Sequence, residues 1–297
     1  MDLSIIICTY NRANWLGAAL ASLAEQTLAR DRYEVLLVDN NSTDATVDVV
    51  AAYKEKIANL NYLKEVRQGL SHARNLGWQS ARGEFVAFMD DDARAAPDWC
   101  ERIVAAFRNV TPRPVSVGGK ILPLFESPLP SWFSPEIEVR SWGETAGFLE
   151  ESRRRYGFSG SNMSFPREVL ARYGGFSANL GMQGRKIRLG EDSYLFSRIQ
   201  ERQPYFWYDP QLVVYHLVPQ RNLTLRYRLN RAFAAGRSVA FMQREGGDRS
   251  SWRVELLNTA YFAKELCRSL LIDRNDRPVQ FRKLCDLFKQ FGVLSGR

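Results

Sequence analysis

A chain of 297 residues with 45% apolar and 25% charged residues has room for one large α/β domain and an appendage, and its composition excludes a disordered chain. No apolar run approaches the ~20 residues that cross a bilayer. The start Leu3-Ser4-Ile5-Ile6-Ile7-Cys8 follows Asp2 without the basic leader or cleavage site of a signal peptide, so the expectation is a cytoplasmic protein. The net charge is +8, and Cys8, Cys100, Cys267 and Cys285 lack the regular spacing of a disulfide framework or zinc cluster.

In chain order, residues 3–9 form a β-branched run fit for a buried strand, and Trp15, Leu16, Ala19, Leu20 and Leu23 follow at helical spacing. A second strand over 33–38 closes on Asp39-Asn40-Asn41-Ser42-Thr43, which caps a helix over 45–56. Strands over 60–66 and 84–89, helices over 70–80 and from Pro97 to 107, and a strand over 115–120 complete an alternating pattern. Such alternation implies right-handed βαβ units in a mostly parallel sheet, with ligands at the carboxyl ends of its strands. From 121 to 156, Pro123, Pro128, Pro130 and Pro135 interrupt the pattern around Trp132, Phe133 and Trp142, which predicts a long irregular excursion, either functional or only a flap over the sheet edge. Beyond it come an extended segment over 157–165, helices over 167–173 and 191–202, short strands over 205–208 and 212–215, and two or three closing helices.

The positive charge is uneven. Between Gln211 and Arg244 there is no Asp or Glu, while Arg221, Arg226, Arg228, Arg231, Arg237 and Arg244 all fall there. Such a stretch is a solvated helix face or a surface for nucleic acid, anionic lipid or a phosphorylated ligand. In the last helix Phe281, Leu284, Phe288 and Phe291 keep helical spacing with Arg282, Lys283 and Lys289 off that face, a pattern for domain packing or for a membrane surface.

Three features carry chemistry. Asp90-Asp91-Asp92 ends a hydrophobic strand, and three adjacent carboxylates repel unless a cation offsets them; a hard divalent ion such as Mg²⁺ or Mn²⁺ does so with oxygen ligands. Residues i and i+2 of an extended segment share a side, so Asp90 and Asp92 can share a ligand while Asp91 faces away. Asp39 ends the second strand, where a carboxylate can accept from a base or ribose; Ser42 or Thr43 can cap the next helix and leave Asp39 free. Glu191-Asp192 opens a helix, whose N-terminus stabilises the anion that a general base requires. The G-x-G-x-x-G and G-x-x-x-x-G-K-[ST] phosphate loops, the G-x-S-x-G elbow and H-E-x-x-H are all absent.

These residues resemble glycosyltransferase family 2. The resemblance rests on seven stretches in the family's order: residues 4–12, 38–44, 69–77, Phe88-Met89-Asp90-Asp91-Asp92, 160–165, Gly174-Gly175-Phe176 and Gly190-Glu191-Asp192. It implies an α/β GT-A fold, a Rossmann-like nucleotide-binding architecture with a mostly parallel central sheet flanked by helices. A catalytic domain would occupy 1–220, its first 120 residues the nucleotide-sugar half and 121–220 the acceptor half, with a C-terminal helical extension over 221–297. It implies that Thr9, Tyr10, Asn11, Arg12, Asp39, Arg74, Asp90 and Asp91 bind the nucleotide sugar. Asp90 and Asp92 match the family's D-x-D pair at the metal, His216 sits where some members add a metal ligand, and Asp192 of the Glu191-Asp192 pair matches the catalytic base. The implied activity is inverting transfer of a sugar from a nucleotide-diphosphate donor to an acceptor hydroxyl with Mn²⁺ or Mg²⁺, in polysaccharide or glycoconjugate synthesis. UDP is the family's usual nucleotide, with GDP and dTDP open. A glycan or lipid-linked acceptor, peripheral contact of the basic C-terminal helices with the cytoplasmic face of a membrane, and no nucleic-acid partner complete the expectation. A nucleotidyltransferase of similar fold, which would carry a glycine-rich basic loop after the first strand, and a non-catalytic nucleotide-sugar or metal-binding module are the alternatives.

Overall fold

Successive side chains of a strand point to opposite faces, and in the computed structural model the strand β1 (Leu3–Thr9) serves two cores in this way. Leu3, Ile5 and Ile7 join one apolar cluster, and Ile6 joins the other. Residues 1–154, 157–184, 186–245, 252–273 and 276–296 are described. After β1 come α1 (Ala13–Ala24), β2 (Tyr33–Asp39), α2 (Thr46–Tyr53), β3 (Leu60–Lys64), α3 (Leu70–Ser80), β4 (Phe85–Asp90), β5 (Ala93–Ala95), α4 (Trp99–Asn109) and β6 (Ser116–Phe125). Then follow β7 (Gly147–Phe148), α5 (Glu151–Arg154), β8 (Met163–Pro166), α6 (Arg167–Tyr173), α7 (Glu191–Gln200), β9 (Phe206–Val218), α8 (Leu225–Glu245), α9 (Trp252–Ile272) and α10 (Arg277–Ser295).

The chain divides into two compact units: Met1–Leu124 with Glu138–Asn179 and Glu191–Leu217, and Phe125–Ile137 with Leu180–Gly190 and Val218–Arg297. In the first, the sheet runs β3-β2-β1-β4-β8-β6-β9-β5, with β7 paired to β9. β3, β2, β1 and β4 are parallel, while β8 is antiparallel to both β4 and β6. One face packs on α1 and α4 through Leu16, Leu20, Trp99 and Ile103, the other on α6 and α7 through Leu170, Leu195 and Phe196. Burial on both faces explains why β1 and β2 read as continuous apolar runs.

Asn162 pins the antiparallel half. It is 1% exposed, accepts from Trp99 Nε1 at 2.9 Å and donates to the carbonyls of Lys120 and Leu212, both at 2.9 Å. Asn162→Ala leaves the buried Trp99 Nε1–H without its acceptor and takes a donor from two carbonyls, so a loss of about 3 kcal/mol is expected, several degrees in Tm. A thermal melt unchanged by the substitution would refute that role.

Several elements differ from the sequence expectation: β6 runs on to Phe125, and β7 and α5 fall within the stretch 121–156 expected to be irregular. The strands expected over 205–208 and 212–215 are one strand, β9, because the alternation of buried Phe206, Tyr208, Pro210, Leu212 and Val214 runs straight through Asp209-Pro210. β5 was not foreseen; its three residues are held by pairing with β9 rather than by their own propensity.

The second unit is built on α8, α9 and α10. A Cβ on Gly236 would lie 1.8 Å from the Lys289 carbonyl oxygen, and one on Gly292 would lie 2.0 Å from that of Phe233, so the glycines let the α8 and α10 backbones touch. Phe281 packs with Phe133, Val218, Leu223 and Trp132, which makes α10 a packing helix, although Phe291 of its expected apolar stripe is exposed. Among the described residues no helix is long and apolar enough to cross a membrane.

Candidate active site

Parallel pairing brings the ends of three strands level: Thr9 lies opposite Asp39, and Cys8 opposite Asp90. Just past that rim, Asp90, Asp92 and His216 each offer one ligand atom, all within 4.8 Å of one another. His216 Nε2 is 3.7 Å from Asp90 Oδ2 and 3.2 Å from Asp92 Oδ1. The β5–β9 ladder delivers it: Ala93 pairs with His216, and the Leu217 N–H donates to the Asp92 carbonyl at 2.8 Å. Asp91 has other partners, accepting from Thr9 Oγ1 at 2.6 Å and from Arg12 Nη1 at 3.0 Å. Arg12 Nη1 also donates to Asp92 Oδ2 at 2.6 Å.

The residues present fit a divalent cation. Asp92 Oδ1 is buried without a hydrogen bond of good geometry, with the His216 ring 3.2 Å away, and a divalent cation would take that place once His216 gives up its proton to become a ligand. Two carboxylates and one imidazole are donors that a divalent ion of the Mn²⁺ type accepts. Electrostatics in the cluster are divided. Burial pushes Asp90 up, but the nearby His216 and the charge of Arg74 outweigh it and hold the carboxyl below the usual range. Burial likewise opposes Asp92, yet His216 and Arg12 leave it lowered. Asp91 is pushed up to about 7 by burial, with Arg12 pulling down and Asp92 adding to the rise. Burial disfavours the His216 cation, but Asp92 and Asp90 raise it to about 10.

The Glu191-Asp192 pair splits between two tasks, as adjacent residues about 100° apart on a helix must. Glu191 is buried and accepts from Arg74 Nη1 at 2.7 Å; burial pushes it up to about 7, Asp192 adds to this, and Arg74 opposes. Arg74 is only 3% exposed, lies 3.5 Å from Asp90 Oδ1 through Nη2, and covers the Phe176 ring at 5.4 Å. Rather than projecting freely, this guanidinium is wedged between two carboxylates. Asp192 is half-buried, accepting from the Gly160 N–H at 3.2 Å and the Ser193 N–H at 2.7 Å. The next residue, Ser161, donates to Asp90 Oδ2. Gly160 and Ser161 therefore join the Asp192 carboxylate to the aspartate cluster, and a Cβ on Gly160 would fall 2.1 Å from Arg74 Nη2. Sequence reasoning gave neither residue a role; a Gly-Ser pair ahead of a buried strand was the available signal.

Around the rim, Asn11 adopts φ 52°, and its Oδ1 accepts from the Thr43 N–H at 2.8 Å while its own N–H donates to Ser42 Oγ at 2.9 Å. Those bonds sew the segment carrying Tyr10 to the loop after β2. Asp39 differs from the expectation of a free carboxylate: it is 1% exposed, accepting from the Ser42 N–H at 2.8 Å and from Tyr62 Oη at 2.6 Å. The neighbouring Asn40 side chain accepts from the Gly69 N–H at 2.7 Å and donates to the Arg67 carbonyl at 2.8 Å, fixing the turn into α3.

A profile described as Glycosyl transferase family 2 matches residues 4–174. The glucosyl-dolichyl phosphate glucuronosyltransferase of Haloferax volcanii is 31% identical over 214 residues, which are 68% of this chain and 64% of that protein, so this chain spans less than two thirds of that relative's length. Among solved structures, the mannosyltransferase PcManGT of Pyrobaculum calidifontis with GDP-Man and Mn²⁺ superposes with a TM-score of 0.64 at 21% identity, covering 95% of this chain and 84% of that one. S. aureus TarS with UDP-GlcNAc does so with 0.61 at 18% identity, covering 97% and 90%. Those two likenesses carry the fold, which is GT-A.

Proposed function

The chain belongs to glycosyltransferase family 2, and from that premise we propose that it inverts the anomeric centre of a UDP-sugar while transferring the sugar to a hydroxyl of a glycan or lipid-linked acceptor, in polysaccharide or glycoconjugate synthesis. Catalysis lies within 1–220, with 221–297 as a helical extension. The observation that carries the reading is that one short segment, Gly160-Ser161, bonds Asp192 on one side and the Asp90 cluster on the other. A base and a leaving-group site must be neighbours for a single displacement.

Asp192 takes the proton of the acceptor hydroxyl as its oxygen attacks the anomeric carbon opposite the leaving diphosphate. The new C–O bond forms as the old one breaks, so one base suffices and no carboxylate nucleophile is needed. Glu191, ion-paired to Arg74, anchors the first turn of α7 and so orients Asp192. Asp90, Asp92 and His216 would hold a divalent cation, which would supply positive charge for the diphosphate. Arg12 and Arg74 add fixed cationic charge beside the same carboxylates, Asp91 holds Arg12 and Thr9 in place, and Thr9, Tyr10 and Asn11 line the nucleoside side. Asp39 meets the base by exchanging one of its two present bonds. Support for a bound nucleotide diphosphate with metal comes from PcManGT, whose structure holds GDP-Man and Mn²⁺, and for uridine from TarS, which holds UDP-GlcNAc. The Haloferax relative's name, with its dolichyl phosphate substrate, supports a lipid-linked acceptor.

A thermal-shift series of UDP, GDP and dTDP with and without Mn²⁺ tests this. UDP with Mn²⁺ is expected to give the largest rise, corresponding to about 2.7 kcal/mol at a hundredfold excess over Kd. A larger rise with GDP removes the uridine assignment, and no ion-dependent rise with any nucleotide removes the whole reading.

A further inference from the structure

α9 is oriented inside out. Both of its acids face α10: Glu255 is buried and accepts from Gln290 Nε2 at 2.6 Å, and Glu265 lies 3.3 Å from Lys283 Nζ. The stripe Leu257, Tyr261, Lys264, Arg268 and Leu271, at alternating spacings of four and three residues, lies opposite Glu255, while Glu265 borders it and turns to Lys283. All five are exposed, Leu257 by 71% and Leu271 by 68%. A soluble helix ordinarily places such leucines inward, and here the outward stripe is apolar and cationic with no acid on it.

We propose that this face of α9 lies on an anionic lipid surface. Apolar side chains beside Lys and Arg are what an interfacial helix presents, the apolar groups entering the headgroup boundary and the long basic chains reaching anionic phosphates. Charge elsewhere agrees. Residues 218–297 hold 16 Lys and Arg against 7 Asp and Glu, which is more than the chain's whole net charge of +8. A second copy of the chain is the competing occupant. The four-three spacing would put Lys264 and Arg268 at successive seam positions of a helix pair, and two consecutive cations there oppose association. α9 would lie on the bilayer and not span it, because no described helix is apolar and long enough to cross. Contact of α9 with lipid extends the lipid-linked acceptor reading above and is measured without catalysis, so a failed vesicle assay and a failed transfer assay are separate outcomes.

The test is co-sedimentation of the full chain with phosphatidylcholine vesicles and with vesicles containing roughly 30% phosphatidylglycerol, at low and high salt. Binding is expected only with the anionic vesicles and is expected to weaken with salt. Leu257→Glu with Leu271→Glu, and separately Lys264→Glu with Arg268→Glu, should each lower the partition coefficient at least about tenfold. Both pairs are solvent-facing, so unchanged circular dichroism and Tm should accompany the loss. Wild-type protein left in the supernatant, or variants that bind as well as wild type, overturns the proposal. So does light scattering that shows a wild-type dimer converted to monomer by the leucine substitutions, which would assign the face to a second copy.

Discussion

Asp192→Asn is expected to lower kcat by about a thousandfold, within the 10²–10⁴ range that a positioned general base contributes, while leaving nucleotide binding unchanged. The substitution is nearly isosteric, and the amide oxygen can keep the Ser193 N–H at 2.7 Å, at the cost of the longer 3.2 Å bond from the Gly160 N–H, which uses the other carboxylate oxygen. What it cannot do is take up a proton. The ion-dependent thermal shift with nucleotide should therefore survive, which separates loss of chemistry from loss of the donor site. Glu191→Gln is the control beside it. That side chain is bonded to Arg74 at 2.7 Å, so its replacement should lower stability by leaving a buried guanidinium short of its counter-charge. Should Asp192→Asn retain more than about a tenth of wild-type kcat, proton removal is not its task, and the thousandfold expectation drawn from general-base catalysis fails.

What the sequence made legible is the set of parts fixed by local chemistry. β1, α1, β2, α3 and β4 announce themselves by apolar period and by the polar residues that end them. The parallel half of the sheet follows from their alternation, whereas the antiparallel half through β8, β6, β9 and β5 does not. Once the strands are known, Asp39 and Asp90 are known to sit at the same rim, since register does the rest. Long-range pairing was the part that could not be read. β5 is three residues long and exists because β9 lies beside it, so the approach of His216 to Asp92 has no signature in either segment alone. Partner choice was equally hidden. Asp39 reads as a free strand-end carboxylate, yet Tyr62, from the neighbouring strand, occupies one of its oxygens. Arg74 reads as a basic residue for a phosphate, but Gly160 has no side chain and so leaves room for that guanidinium between Asp90 and Glu191. The α9 stripe is periodic in the sequence, but periodicity states only that a helix has an apolar side, and which side meets α10 is settled by Glu255 and Glu265.

Removing the cation site should have the second large effect, and it should differ in kind from loss of the base. Asp92→Ala deletes the buried oxygen that faces His216 at 3.2 Å, the Arg12 bond at 2.6 Å and one of three adjacent carboxylates. The ion-dependent part of the nucleotide thermal shift is expected to vanish, and kcat/KM to fall on the order of 10²–10³-fold, the usual scale for losing one preorganised electrostatic contact to developing charge. The folded chain should tolerate the change, because Arg12 keeps its bond to Asp91 at 3.0 Å and Asp90 keeps Arg74 and Ser161. Relief of repulsion among the carboxylates works in the same direction. His216→Ala should behave more mildly, as two carboxylates remain to share an ion that retains its own waters. The order of severity is therefore informative. If Asp92→Ala keeps the full ion-dependent shift while unfolding at a lower temperature, the aspartates serve to clamp Arg12 and His216, and the cation belongs elsewhere. If the shift disappears and the melting temperature without ion stays the same or rises, the cluster's cost to folding is the mark of a site held open for a ligand.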